Sequence, residues 1–303
     1  MKRRNFIKTG VMGGTALGLG GMALQSCRLD TSKRITVLHT NDVHSHIDPF
    51  PASHPQFPKL GGVARRAALI QSLREENPNI LLLDAGDIFQ GTPYFNFYGG
   101  ELEFKLMNRM GYDAATLGNH DFDNGLSGLL AQLPNANFSF LSANYDFNNT
   151  ILEGRFRPYQ VFVRDGVRIG VFGLGVKLEG LVLKELYGET KYLDPIEIAQ
   201  DMARVLRADE DCDLVICLSH LGHVYDNPDR VCDQVLAAST EDIDLIIGGH
   251  THTFMDEAER ATNRSGNPVY IQQVGCYGVR LGRVDFEMHA QGIRSTTSQA
   301  LRI

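Results

Sequence analysis

Tryptophan is absent from the 303 residues, and cysteine is scarce. Cys27, Cys212, Cys217, Cys232 and Cys276 show no C-x-x-C spacing, so a thiolate zinc site is not expected. Cys217 lies in the apolar run Leu214 to Leu218 and reads as a buried core thiol. Export would permit a Cys212–Cys232 bridge. Basic residues are also few. The formal net charge is −7, from 29 basic and 36 acidic side chains. Residues 1–26 hold four of the basic residues and no acid, which leaves 25 against 36 in the remainder. So acidic a body excludes a nonspecific grip on nucleic acid, which needs clustered Lys and Arg. There is no internal repeat, no low-complexity tract and no linker that marks a second domain. With 43% hydrophobic and 21% charged residues, the chain has the composition of a folded globular protein rather than a disordered one.

A long apolar run is missing as well. The stretch Gly10 to Leu24 is glycine-rich and falls short of the roughly 20 predominantly apolar residues that span a bilayer. It follows Lys2-Arg3-Arg4-Asn5-Phe6-Ile7-Lys8, a basic start with paired arginines. Together they resemble a twin-arginine export signal. Leu24-Gln25-Ser26-Cys27 resembles a lipoprotein cleavage box. Residues 1–27 are therefore expected to be an export signal. Cys27 is expected to carry a lipid that tethers a periplasmic or cell-envelope protein to a membrane surface without spanning it. Residues 28–303 are expected to form a single catalytic domain.

Within that body, short β-branched runs alternate with helical patterns. Strands are expected at 35–38, 80–83, 113–117, 214–218, 243–247, 269–274 and 280–288. A hairpin is expected over 161–171, turning at Asp165-Gly166. Helices are expected at 62–76, 101–110, 196–206 and 230–238. Residues 291–303 are polar and are expected to fray. Arg65 and Arg66 read as a solvated helix face. The alternation predicts an α/β fold of two packed mixed sheets with outer helices, a four-layer α/β/β/α sandwich.

Each apolar strand runs into a polar cluster. These are His39-Thr40-Asn41-Asp42-Val43-His44, Asp84-Ala85-Gly86-Asp87, Gly118-Asn119-His120-Asp121-Phe122-Asp123, Ser219-His220-Leu221-Gly222-His223 and Gly248-Gly249-His250-Thr251-His252. Sites in α/β sheets form outside the carboxyl ends of strands, so five clusters are expected to converge. Imidazole, carboxylate and amide oxygen suit Zn, Mn, Fe or Co better than an all-oxygen Ca or Mg cage. About seven donors exceed one tetrahedral ion and suit two. Such a pair lies about 3.5–4 Å apart and lowers the pKa of a water held between the ions, which makes hydroxide available near neutral pH. Two divalent ions outweigh the charge of Asp42, Asp87 and a hydroxide, so the site is expected to attract an anionic phosphoryl group.

In this order, D-x-H, G-D, G-N-H-x-x-D, a lone His after a strand, and G-H-x-H resemble the calcineurin-like binuclear metallophosphatase superfamily. The stretches Val37 to Ser45, Leu82 to Pro93, Gly118 to Asp123 and Gly248 to His252 are closer still to the catalytic domain of the bacterial 5′-nucleotidase/UDP-sugar hydrolase family. Gln273-Val274-Gly275-Cys276-Tyr277-Gly278, followed by Leu281-Gly282-Arg283, is similar to that family's closing strands. The resemblance implies the metallophosphatase fold and a metal-dependent phosphoric ester hydrolase. One ion would take Asp42, His44 and His252. The other would take Asn119, His220 and His250, and Asp87 would bridge them. His120 would act on the phosphoryl oxygens and the leaving group, with Asp123 orienting its ring. Thr40 and Asp84 would orient ligands. His39 is expected to hydrogen-bond locally without ligating, and His46 and His223 to lie near the site or in solvent.

The resemblance also implies a nucleotide or similar small phosphate ester as substrate. Family members carry a C-terminal domain that stacks the base and holds the terminal phosphate. Residues 28–303 are expected to be the metal domain alone, with a separate polypeptide supplying substrate binding or with loose specificity. Other readings are a sulfur-ester hydrolase or cyclic phosphodiesterase of the same superfamily. A reading of a different class is a noncatalytic metal-binding surface subunit.

Overall fold

The computed structural model describes residues 32–289 and 292–303. The expected export signal and the lipid site at Cys27 lie outside the described residues. In chain order the strands are β1 (Lys33–Thr40), β2 (Ile80–Asp84), β3 (Ala114–Ala115), β4 (Ser139–Phe140), β5 (Tyr145–Asp146), β6 (Tyr159–Arg164) and β7 (Val167–Leu174). They continue with β8 (Lys191–Tyr192), β9 (Leu214–Ser219), β10 (Leu245–Gly248), β11 (Glu259–Thr262), β12 (Pro268–Gln272), β13 (Arg280–His289) and β14 (Gly292–Arg302). The helices are α1 (Val63–Glu76), α2 (Pro93–Tyr98), α3 (Glu101–Met110), α4 (Gly125–Gln132), α5 (Lys184–Tyr187), α6 (Pro195–Arg204) and α7 (Asp233–Ser239). No described helix is long and apolar enough to cross a membrane.

Two six-stranded mixed sheets carry the fold, in the orders β14-β13-β1-β2-β3-β4 and β11-β12-β10-β9-β7-β6. Side chains alternate faces along a strand, and the buried clusters follow that period. Ile35, Val37, Leu81 and Leu83 of the first sheet pack with Ile169, Val171, Ile216, Leu218, Leu245 and Ile247 of the second. The intervening Leu38 and Leu82 turn the other way and pack with Ile70 and Leu73 of α1 and with Phe104 and Met107 of α3. Val215, Cys217 and Ile246 meet Ala199 and Ala203 of α6 and Leu236 and Ala237 of α7. The expected helix/sheet/sheet/helix layering is thus present.

Helix α1 ends as its sequence dictates. Pro78 disfavours a helical conformation at the residue before it, and Asn77 is extended with φ −144°. Its inner face is Arg66, Ile70 and Leu73, spaced four and three apart. Arg66 is therefore buried rather than solvated, at 4% exposure. Its guanidinium lies near Asp84 and Tyr112 and partly offsets the burial that raises the Asp84 carboxyl to about 7. Arg65 is on the exposed side, as expected.

The last residues do not fray. They form β14, which pairs antiparallel with β13 from Arg280↔Arg302 to His289↔Gly292. Ile303 is buried; its N–H donates to the Val279 carbonyl at 3.0 Å, and its carbonyl accepts from Gly61 N–H at 2.8 Å. A polar composition suits a largely exposed edge strand, and pairing with β13 satisfies its backbone. Cys212 and Cys232 are separate buried thiols, not a bridge. Strand β3 is shorter than the expected 113–117, because the chain leaves the sheet after Thr116, whose N–H still donates to Asp84 O at 3.0 Å.

One buried polar contact ties the sheets together. His39 of β1 meets Gln272 at the end of β12 through Nε2 and Oε1 at 3.1 Å. Gly282 makes room for it, since a Cβ there would fall 2.0 Å from His39 Nε2. Burial lowers the His39 pKa to about 4, although the Gln272 contact works the other way. An unfolded chain protonates this imidazole below about pH 6.5, whereas the folded chain resists until about pH 4. The unfolded state therefore binds more protons in that window. Stability present at neutral pH is lost as the pH falls through it, by about 3 kcal/mol for this group. His39→Gln should flatten the fall in urea midpoint between neutral pH and the lower edge of the window. An unchanged slope would remove His39 from the account.

Candidate metal centre

All five polar clusters meet at one edge, beyond the carboxyl ends of β1, β2, β3, β9 and β10. Backbone bonds knit the loops: Asp42 N–H donates to Gly86 O at 2.9 Å and His44 N–H to Asp87 O at 3.0 Å. His250 N–H donates to the two Asp42 carboxylate oxygens at 3.0 and 3.1 Å. Asp42, His44, Asp87, His250 and His252 all have positive φ, between 49° and 72°. Asp and His tolerate this region better than branched residues, but it costs of order 1–3 kcal/mol per residue. Five of the seven expected ligands carry that strain.

The side chains form two groups, Asp42/His44/His252 and Asp87/His220/His250. Within each, one donor atom per residue lies within 4.8 Å of the others. The groups adjoin. His44 Nε2 is 4.0 Å from Asp42 Oδ1 and 3.9 Å from Asp87 Oδ2. His252 Nε2 is 3.3 Å from Asp42 Oδ1. His220 Nε2 is 3.1 Å from Asp87 Oδ2 and 3.9 Å from Asp42 Oδ1. Both carboxylates therefore stand between the two groups. Backbone carbonyls fix two of the rings through Nδ1, His220 to Ala85 O at 2.7 Å and His44 to Phe89 O at 3.3 Å. Their Nε2 atoms are left facing the cluster, which is how protein contacts orient an imidazole for a metal.

Buried Asn119 Oδ1 has no hydrogen-bond partner, and leaving such an atom unpaired costs about 1–3 kcal/mol. Buried His220 Nε2 has only the Asp87 carboxylate beside it, at 3.1 Å. Both atoms belong to the set expected to bind the second ion, so the residues present fit a divalent cation. Charge arguments agree. Burial opposes charge on His220 and His252, but Asp87 outweighs it for His220, and Asp42 does so for His252, so both rings are held up at about 10. Burial and the neighbouring His220 lower His250 to about 4. Burial alone would raise Asp87, yet the His220 ring beside it pulls it below the usual carboxylate range. Protons held this way compete with metal, so metal binding should release them.

His120 stands beside the groups rather than in them. Its ring centroid lies 5.2 Å from that of His44, and its N–H donates to Asp87 Oδ1 at 2.8 Å. Nδ1 is 2.9 Å from Asp123 Oδ2. That bond raises the His120 pKa against the effect of partial burial. The ring is partly exposed, within reach of a substrate.

Thr40 and Asp84 touch each other, not the ligands. Thr40 Oγ1 donates to Asp84 Oδ2 at 2.6 Å, and Asp84 Oδ1 accepts from Gly86 N–H at 2.9 Å. They shape the turn that delivers Asp87. His46 packs on Phe50 and Tyr277, and His223 pairs with Glu259 at 2.7 Å.

Sequence reasoning gave Asp121, Asn41 and Arg230 no role. Asp121 accepts from the N–H groups of Gly118, Asp87, Ile88 and Phe89 at 2.8–3.2 Å, locking the second and third loops together. Its place in Gly118 to Asp123 was the only available signal. Asn41 joins the first loop to Val274 and Gly275. Arg230 was expected to open a helix over 230–238, but Cys232 is extended and α7 begins at Asp233, which leaves Arg230 in the preceding loop.

A family model for calcineurin-like phosphoesterases matches residues 35–254. The chain is 34% identical to the trifunctional nucleotide phosphoesterase protein of Bacillus subtilis, over 89% of this chain and 19% of that protein. It is 34% identical to the 5′-nucleotidase of Vibrio parahaemolyticus, over 95% of this chain and 54% of that enzyme. Among solved structures it is similar to the 5′-nucleotidase precursor of Thermus thermophilus, with a TM-score of 0.81 and 33% identity over 89% of this chain and 55% of that one. The chain thus spans about half the length of these 5′-nucleotidases.

Proposed function

The chain belongs to the calcineurin-like phosphoesterase family, and from that premise we propose that it is a binuclear-metal-dependent phosphohydrolase of 5′-nucleotidase type. The observation that carries this is the convergence of Asp42, His44, Asp87, His220, His250 and His252, with the buried Oδ1 of Asn119 left unpartnered. In this reading Asp42, His44 and His252 would hold one divalent cation, Asn119, His220 and His250 would hold the other, and Asp87 would serve both. Two bound cations would supply an activated water and a positive seat for phosphoryl oxygens.

The chain's own residues do the rest. The carbonyls of Ala85 and Phe89 and the N–H of His250 fix donor directions before substrate arrives. Asp123 holds His120 Nδ1, so Nε2 is the atom presented to the ester. Its raised pKa favours the protonated ring, which donates to a phosphoryl or leaving-group oxygen.

Nucleotide-type esters are the proposed substrates, by analogy with the relatives. Because the chain spans about half of those relatives, we place further substrate-binding surface in another segment or a separate polypeptide. Export by the paired-arginine signal and a lipid at Cys27 belong to the same proposal, on sequence alone.

The test is phosphate release from mononucleotides, UDP-sugars, cyclic nucleotides and aryl phosphates, with manganese, cobalt, zinc or iron supplied in turn. Release should require added metal and cease on chelation. No release from any ester with any metal, or release that chelation leaves untouched, would overturn the reading.

A further inference from the structure

The loop between β9 and α7 delivers an arginine to the second group of ligands. Tyr225 anchors it, since its hydroxyl donates to Leu221 O at 2.6 Å. Gly222 permits that seat: its φ is +95°, and a Cβ would lie 2.3 Å from the Tyr225 hydroxyl. Arg230 then lays its guanidinium on the Tyr225 ring, with Cζ 3.8 Å from the centroid. From there Nη2 is 3.5 Å from His250 Nε2. Arg230 makes no ion pair with a carboxylate among the described residues; its contacts are these two rings. It also lines an open cleft of about 670 Å³, with Val176, Lys177, Leu181, Tyr192 and Pro195. Lys177 in that cleft is already paired with Glu179 at 2.6 Å.

Burial and the neighbouring His220 keep the His250 ring neutral, so its Nε2 accepts from Arg230 and leaves the guanidinium charge unbalanced. An anion at the cleft beside the ligand group would supply the missing counter-charge. Arg suits this role, since its fork matches phosphate geometry and it does not lose its charge. We propose that Arg230 is a substrate-contacting residue that holds a non-bridging phosphoryl oxygen. It selects phosphate monoester dianions over diester monoanions, with the leaving group extending into the cleft. The inference rests on the phosphohydrolase reading above and adds the residue and the substrate charge.

The experiment compares the metal-loaded full chain with Arg230→Ala and Arg230→Lys. It measures binding of inorganic phosphate by calorimetry, kcat/KM for p-nitrophenyl phosphate and for bis-p-nitrophenyl phosphate, and metal content. Arg230→Ala should weaken phosphate binding about 10- to 100-fold, the worth of a hydrogen bond between charged groups. The monoester-to-diester ratio of kcat/KM should fall with it, both metals should remain, and Arg230→Lys should recover part of the loss. Unchanged phosphate affinity, an unchanged ratio, or loss of metal from Arg230→Ala would overturn the proposal. If Arg230→Ala does not fold, Tyr225→Ala replaces it and should weaken phosphate binding in the same way; unchanged affinity there would equally overturn the proposal. Phosphate binding needs no turnover. A wild-type chain inert to every ester would sink the phosphohydrolase reading, while the calorimetry still decides Arg230 as an anion contact.

Discussion

Replacing His120 with alanine should lower turnover by about 10² to 10⁴, the usual contribution of a positioned acid or base, and leave metal content unchanged. The reason is geometric. His120 reaches the cluster by its ring edge and its backbone, and Asp123 occupies its Nδ1. The donor groups on either side contain none of its atoms. Removing the imidazole therefore takes away proton transfer and leaves the ligand set intact. Asp123→Asn should give a smaller loss, because the ring remains but loses the carboxylate that lifts its pKa. Steady-state rates and elemental analysis on the same samples check both variants. A His120→Ala protein that keeps wild-type turnover has no catalytic histidine there. One that sheds metal shows His120 to be a ligand instead.

Asp87→Ala should do more damage and of another kind. Turnover should fall at least about 10³-fold, since the proposal makes Asp87 the one ligand shared by both ions and their chemistry depends on paired geometry. Metal content should drop too. Without metal, stability should also fall. Asp87 Oδ2 lies 3.1 Å from buried His220 Nε2 and holds that ring's pKa near 10. Breaking a buried ion pair costs about 3–5 kcal/mol, relieved in part here because His220 can give up its proton. The wild-type chain should gain thermal stability when manganese or zinc is added, as any ligand specific to the folded state confers. Asp87→Ala should gain little. Wild-type metal content together with near-normal turnover in this variant would refute the bridging assignment.

The contrast between His39 and Arg230 shows how far local sequence reaches. His39 follows the expected strand 35–38 and belongs to the longer β1, yet its partner Gln272 is 233 residues away, and nothing local marks the pair. Arg66 looked solvated because its neighbours are small and charged. It is buried because the helix turns it inward with Ile70 and Leu73. Residues 291–303 looked loose because they are polar, but an edge strand needs only a partner backbone, and β13 supplies one.

What the sequence alone determined was the set of elements and the chemistry at their ends. Strand alternation, helix stops and five Asp/Asn/His clusters are short-range patterns, written within a few residues of one another. The layered fold followed from them, and the seven expected ligands from the resemblance those clusters carry. The tertiary structure alone decided which carboxylate faces which ring, that Asp121 locks two loops, and that Arg230 comes to rest beside His250. Those relations join residues separated by tens to hundreds of positions. Only packing the two sheets face to face, with their strand ends on one edge, brings such residues within hydrogen-bonding distance.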